Sequence, residues 1–201
     1  SAELPTGGAK VAMLSRSLDA FLEAGYVYVG MDHFALPTDA LAIAKRQGRL
    51  HRNFQGYSTQ PDCDLIGLGV SAIGRIGATY SQNAKTLDEY YDHLDQGRLP
   101  VVRGLALNRD DLVRRAAIMA LMCQGELLIE PMEQAWLIDF RRYFAAELDQ
   151  LKDMQTQGLV EVGDEGVRVT AMGWFFVRGI AMVFDRYLQA DRTRAKFSRI
   201  I

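Results

Sequence analysis

The run Gly67-Leu68-Gly69-Val70-Ser71-Ala72 has the letters of GxGxxA, the turn that brings backbone N–H groups against a dinucleotide pyrophosphate. That chemistry needs a strand ahead of the motif, a helix opening within it and an acid about twenty residues on. Here the apolar run Leu65–Ile73 itself reads as a strand, and Gly74, Gly77 and Ser81 discourage a helix after it. The residues favour a strand whose small side chains let a ligand or another backbone come close. The histidines His33, His51 and His93 lie in separate segments and form no metal-ligating pair such as HExxH. Of the three, His33 has the best functional placement, in the loop that follows a strand. Lys45, Arg46, Arg49, His51 and Arg52 could meet an anionic substrate, or could equally be a solvated helix end whose cations complement the dipole. Cys63 and Cys123 form no CxxC and no disulfide framework, which points to a reducing cytoplasm.

The elements that must position these groups follow from periodicity. Val11, Leu14, Leu18, Phe21 and Leu22 predict a helix over about 9–24, stopped by Gly25. Tyr26–Met31 reads as a buried strand of a parallel sheet, with Asp32–Pro37 as the loop at its ligand-binding end. Thr38 reads as an N-cap for a short helix closed by Gly48, and Arg49–Gln60 has no clean period. A short helix follows over 86–94, and Gly97-Arg98-Leu99-Pro100 marks a domain boundary. Beyond it, Asn108 caps a helix with Asp110 and Asp111 in its first turn; Leu112–Cys123 is apolar nearly all round and should be buried. A short helix near 130–136 leads to a longer one marked by Phe140, Phe144, Leu148, Leu151 and Met154. Val160/Val162 and Val167/Val169 flank Gly163-Asp164-Glu165-Gly166, a hairpin signal, and Phe176, Ile180, Val183, Phe184 and Tyr187 set a last helix. Three helices, a hairpin and a helix are the order of a winged-helix-like module. Its third helix mixes Arg141, Arg142 and Lys152 with Asp139, Glu147, Asp149 and Asp153, which argues against reading DNA.

Composition sets the frame. The chain has 201 residues, 49% hydrophobic and 24% charged, which excludes intrinsic disorder. The formal charge of -2 argues against nucleic acid or an anionic membrane as partner. No apolar run reaches the roughly 18 residues that span a bilayer, and no leader-like segment opens the chain. Ser1 with no initiator Met suggests a trimmed chain.

Three long stretches carry a resemblance. Tyr26–Pro37, Leu50–Gln60 and Asp64–Ile73 resemble, in order, segments of the oxygen-independent coproporphyrinogen III oxidases of the radical S-adenosylmethionine family, and Phe197–Ile201 extends the likeness to the end of the chain. The resemblance implies a mixed α/β fold. Residues 1–97 would be the last strands and helices of a partial radical-SAM (β/α) barrel, and residues 98–201 a mainly helical, winged-helix-like C-terminal domain. It implies an enzyme that uses S-adenosylmethionine and a [4Fe-4S] cluster to generate a 5′-deoxyadenosyl radical. That radical drives loss of two propionate carboxylates of coproporphyrinogen III, leaving the vinyl groups of protoporphyrinogen IX.

The resemblance also places S-adenosylmethionine contacts on Gln55 and Ile73, with Phe54 and Tyr57 as candidates for stacking. An amide can both donate and accept, and an apolar side chain suits the flat edge of a ligand. The family holds its cluster with CxxxCxxC, and this chain has no such motif. The chain therefore reads as a C-terminal fragment, inert alone, with no catalytic or metal-binding residue of its own. Its partners would be coproporphyrinogen III and an electron donor, in the cytoplasm, with pairing of copies through exposed strand edges. Two rival readings are a haem chaperone-like relative and a winged-helix binding module.

Overall fold

A computed structural model describes residues 4–191, so the Phe197–Ile201 match lies outside the described residues. The chain divides into two compact units: one takes the chain up to Thr59 together with the chain from Ala116 onward, the other Gln60–Arg115. This grouping rests on contacts between distant stretches, whereas a boundary at residue 97 separates consecutive ones.

In the first unit, α1 (Gly7–Glu23) starts at Thr6, whose hydroxyl accepts the N–H of Ala9 at 3.3 Å. None of its residues is buried, and its end packs through Phe21, which stacks on Phe34 at 4.4 Å. β1 (Val27–Gly30) pairs antiparallel with β2 (His33–Ala35). The expected parallel strand and open loop are corrected here, because Gly30 (φ +155) and Met31 (φ +53) turn the chain straight back. One edge of β1 is thus taken up by its own next segment. The cap of α2 (Ala40–Arg46) is Asp39, not Thr38: its carboxylate accepts the N–H of Leu41 at 2.8 Å. The stretch without clean period contains a hairpin of β3 (His51–Asn53) and β4 (Gly56–Ser58), with Arg52 opposite Tyr57.

The second unit is built on an antiparallel sheet of β5 (Ile73–Ile76), β6 (Thr79–Asn83) and β7 (Val101–Ala106), in that order. A strand over Leu65–Ile73 does not form. Leu65 makes one bridge to Arg75, and Gly69 (φ +95) and Ser71 (φ +60) bend the chain before β5 begins. α3 (Leu87–Asp95) forms where a short helix was expected and is capped by Thr86.

Asn108 and Asp111 cap each other at the start of α4 (Arg109–Gln124), each side chain accepting the other's N–H at 3.0 and 2.9 Å. From Asp111 to Cys123 no residue of this helix is exposed. The first unit then continues through β8 (Glu126–Leu128), α5 (Ile129–Trp136), α6 (Phe140–Tyr143), α7 (Ala145–Thr156), β9 (Val160–Val162) and β10 (Gly166–Val169). The hairpin forms as predicted, and β8 joins it as an unforeseen third strand in the order β8-β10-β9. Gly166 makes that possible, since a Cβ there would lie 2.0 Å from the Leu127 carbonyl oxygen. The longer helix expected over 140–154 breaks at Phe144. The last helix divides into 3₁₀ turns at Gly173–Phe176 and Met182–Phe184, with α8 (Val177–Ala181) between them and α9 (Arg186–Asp191) after. Fully buried Phe140, Phe144, Leu151, Ile180 and Phe184 form the core, with Phe144 meeting Phe140 and Phe184 edge-on at 5.1 and 5.2 Å. The winged-helix order is present, and the described residues contain no closed barrel.

Candidate functional site

The β3–β4 hairpin presents Phe54 and Gln55 at its tip. The side chain of Asn53 accepts the N–H of Gln55 at 2.9 Å, which fixes the turn. Phe54 is 53% exposed and Gln55 is exposed as well. Behind them Gly56 (φ +142) lies flat against His33; a Cβ would fall 2.6 Å from His33 Nε2.

Tyr57 is buried and its hydroxyl donates to the Met122 carbonyl at 2.9 Å. Burial pushes its pKa up, so the phenol stays protonated and keeps donating. The Arg52 guanidinium lies 4.6 Å from the centre of the ring, and His33 meets it edge-on at 5.1 Å. The ring, covered by Arg52 and His33, anchors the hairpin through its bond to the Met122 carbonyl.

Below the β1–β2 turn, the Lys45 ammonium donates to the carbonyls of Tyr28 and Val29 at 2.8 Å each and lies 4.3 Å from the Trp174 ring. Burial pulls its pKa down to about 8. Part of the basic cluster therefore faces inward. Arg46 donates to the Pro37 carbonyl at 2.9 Å.

Ile73 belongs to the other unit, where it opens β5 half-buried. Gln55, Phe54 and Tyr57 are thus gathered on one hairpin, and Ile73 lies in Gln60–Arg115. Around Ile73 the glycine run is a bent loop with no helix opening inside it, so it lacks the form of a dinucleotide turn. Its Gly67 and Gly69 carbonyls accept the Asn83 amide at 3.0 Å each, and a Cβ on Gly67 would meet the Ile73 carbonyl at 2.9 Å. Sequence reasoning missed a charge cluster in this unit. Asp62 accepts from both Arg75 and Arg115 at 2.7 Å, and Arg115 Nε donates to the Tyr80 hydroxyl.

Among the described residues, no three His, Cys, Asp or Glu side chains are grouped to hold a metal ion. Cys63 is exposed and Cys123 buried, and two thiols cannot supply the three that a radical-SAM cluster needs. This chain's residues do not fit a cluster. On the winged-helix side, Arg141 bonds to the Gly163 and Asp164 carbonyls, and Lys152 pairs with Asp149 at 2.8 Å. Arg141 and Lys152, two of the three cations of that helix region, are thus engaged within the chain. No helix among the described residues is long and apolar enough to cross a membrane.

Residues 107–176, which contain the wing, match the HemN C-terminal domain. Over 199 residues the chain is 49% identical to the oxygen-independent coproporphyrinogen III oxidase of Pseudomonas aeruginosa, covering 99% of this chain and 43% of the relative. The Escherichia coli protein of that name is 46% identical over 200 residues, covering 100% and 44%. A solved structure, described as coproporphyrinogen III oxidase (HemN) from Escherichia coli, a radical SAM enzyme, superposes with a TM-score of 0.88 at 46% identity. That match covers 93% of this chain and 43% of the other.

The winged-helix portion therefore resembles a HemN C-terminal domain, and the mixed α/β segment before it superposes on the same solved structure. Along nearly its whole length the chain is thus similar to the C-terminal part of the oxygen-independent coproporphyrinogen III oxidases. It spans less than half the length of the two relatives named.

Proposed function

We propose that this chain is the C-terminal part of an oxygen-independent coproporphyrinogen III oxidase, acting in porphyrin biosynthesis in the cytoplasm. The complete enzyme would take coproporphyrinogen III, remove two propionate carboxylates as carbon dioxide and leave two vinyl groups. S-adenosylmethionine and the [4Fe-4S] cluster would supply the radical chemistry, the cluster being held outside this chain. The observation that carries the reading is the continuous likeness, at 46% identity and a TM-score of 0.88, to an enzyme of that name.

In this reading Gln55 and Ile73 contact S-adenosylmethionine, Phe54 covers it from the hairpin tip, and Tyr57 holds the hairpin in place. The exposure of Gln55 and Phe54 at a turn fixed by Asn53 supports such a use. The boundary between the barrel portion, 1–97, and the C-terminal domain, 98–201, belongs to the same proposal. So does a separate electron donor, which would supply the electron for reductive cleavage of S-adenosylmethionine. The chain alone would be inert and would associate through a strand edge.

The test is conversion of coproporphyrinogen III to protoporphyrinogen IX by the complete enzyme containing this chain. Gln55→Ala should weaken S-adenosylmethionine binding by about 1–3 kcal/mol, the usual cost of unpairing a polar group. Absence of turnover in the wild type would defeat the reading. Unchanged S-adenosylmethionine affinity in Gln55→Ala would remove Gln55 from the site.

A further inference from the structure

Arg52 stands out in the hairpin. It lies directly across from Tyr57, and its guanidinium is 4.6 Å from the centre of that ring. No carboxylate among the described residues pairs with it, and its Nη1 is enclosed with no hydrogen-bond partner. His33, edge-on to the same ring, has an Nδ1 in a similar position. Asp32 Oδ1 is 2.8 Å from that nitrogen, close enough for an ion pair but without the alignment of a hydrogen bond.

Enclosed guanidinium and imidazole nitrogens are normally paired, because an unpaired one keeps the cost of leaving water and gains nothing in return. Aromatic contact attracts the cation to the ring face but leaves the in-plane N–H groups unused. What Nη1 of Arg52 lacks is an acceptor. The group that suits a planar fork is a carboxylate, which can take two parallel N–H bonds.

We propose that Arg52, backed by His33, binds a carboxylate of a ligand that reaches the Gln55 hairpin. The inference rests on the functional reading above, in which two molecules bring carboxylates: the propionate-bearing substrate and the methionine end of S-adenosylmethionine. The fold prepares Arg52 for this. Tyr57 is pinned through its hydroxyl to Met122, and its ring lies against the guanidinium and backs the fork. Arg52 stands three residues before Gln55, so one hairpin would hold both a polar contact and a charged one. The close seat of His33 on Gly56 ties the imidazole to the same turn.

The experiment uses the complete enzyme with Arg52→Gln and Arg52→Lys. It measures the KM for coproporphyrinogen III, the equilibrium affinity for S-adenosylmethionine, and fluorescence titrations of coproporphyrin III against its tetramethyl ester. Arg52→Gln should raise the substrate KM at least tenfold and erase the preference for the tetra-acid over the ester, with S-adenosylmethionine affinity unchanged. Arg52→Lys keeps the charge and most of the stem but loses the fork, and should fall between the two. A tenfold loss confined to S-adenosylmethionine would also support the carboxylate site and would assign it to the cofactor. Wild-type enzyme that prefers the tetra-acid through Arg52 yet releases no carbon dioxide would sink the functional reading and leave this one standing. Affinities for both ligands within twofold of wild type in a folded Arg52→Gln or Arg52→Lys protein would overturn it.

Discussion

Gly125 ends α4 in the left-handed region at φ +70, its N–H donating to the Leu121 carbonyl at 3.0 Å and its carbonyl accepting the N–H of Val169 at 2.7 Å. A Cβ there would lie 2.5 Å from Cζ2 and 3.0 Å from Cε2 of Trp174, closer than real atoms approach. Gly125→Ala therefore carries two costs. The left-handed backbone costs a residue with a Cβ about 1–2 kcal/mol. The indole must also move, and uncovering roughly 100 Å² of a half-buried aromatic at about 25 cal/mol/Å² adds about 2.5 kcal/mol. The loss should then lie between about 1–2 kcal/mol, if the ring slides within its place, and about 4 kcal/mol, if it leaves. The chain has two tryptophans, so a Trp136→Phe background makes Trp174 the sole indole reporter. Urea unfolding gives the free energy, and the native emission maximum reports whether the ring has been pushed into water. Gly125→Asn separates the terms, because asparagine tolerates the left-handed region but still brings a Cβ against the ring. A loss below about 0.5 kcal/mol in Gly125→Ala, with the emission maximum unmoved, would refute the reasoning.

Two further outcomes follow from the same geometry. Lys45 is held at about 8 in the fold against an ordinary 10.5, so between those values the unfolded chain keeps a proton that the folded chain has released. Stability should therefore rise with pH through that window, and the neutral amine still has two N–H donors for the Tyr28 and Val29 carbonyls. Melts at about pH 7.5 and about pH 9.5 check this: Lys45→Met should lack the rise, and equal slopes in the two proteins would contradict it. β7 is an edge strand with all six residues exposed, so the isolated chain should associate through it. Sedimentation across concentration should show self-association that Val102→Lys abolishes, and a monomer at every concentration would rule the edge out.

What could be read from the sequence was local. Helix starts were legible to within a residue because their signals lie within one turn, as with Asn108 ahead of α4 and, one residue away from the Asp39 cap, Thr38 ahead of α2. The wing was legible because Gly163–Gly166 sits between two alternating apolar pairs. Strand partners were not, since a run such as Tyr26–Met31 looks the same beside a parallel neighbour or folded back on its own continuation. The turns that decided the matter place Met31 and Ser71, beside Gly30 and Gly69, at positive φ, and a residue other than glycine does not announce such an angle. The β3–β4 hairpin escaped for the same reason, because its two-residue tip is Phe54-Gln55.

The candidate site adds a different lesson, about glycine. Glycines mark turns and helix ends in a sequence, yet three of them here also seat a ring. A Cβ on Gly30 would fall 2.4 Å from the Tyr57 hydroxyl oxygen, one on Gly56 would fall 2.6 Å from His33 Nε2, and one on Gly125 would strike Trp174. Each of these rings holds something that bears on chemistry. Tyr57 lies under Arg52, His33 lies behind the Gln55 turn, and Trp174 faces the Lys45 ammonium. A glycine-to-alanine change at any of them acts on the site through a displaced aromatic, although the altered residue carries no functional group. No periodicity reports such a pairing, because the glycine and its ring are 23 to 49 residues apart in the chain and meet only when the strands and helices that carry them pack. The resemblance could therefore mark Gln55, whereas the Arg52–Tyr57–His33 arrangement behind it required the register of the hairpin and the approach that Gly30 and Gly56 permit.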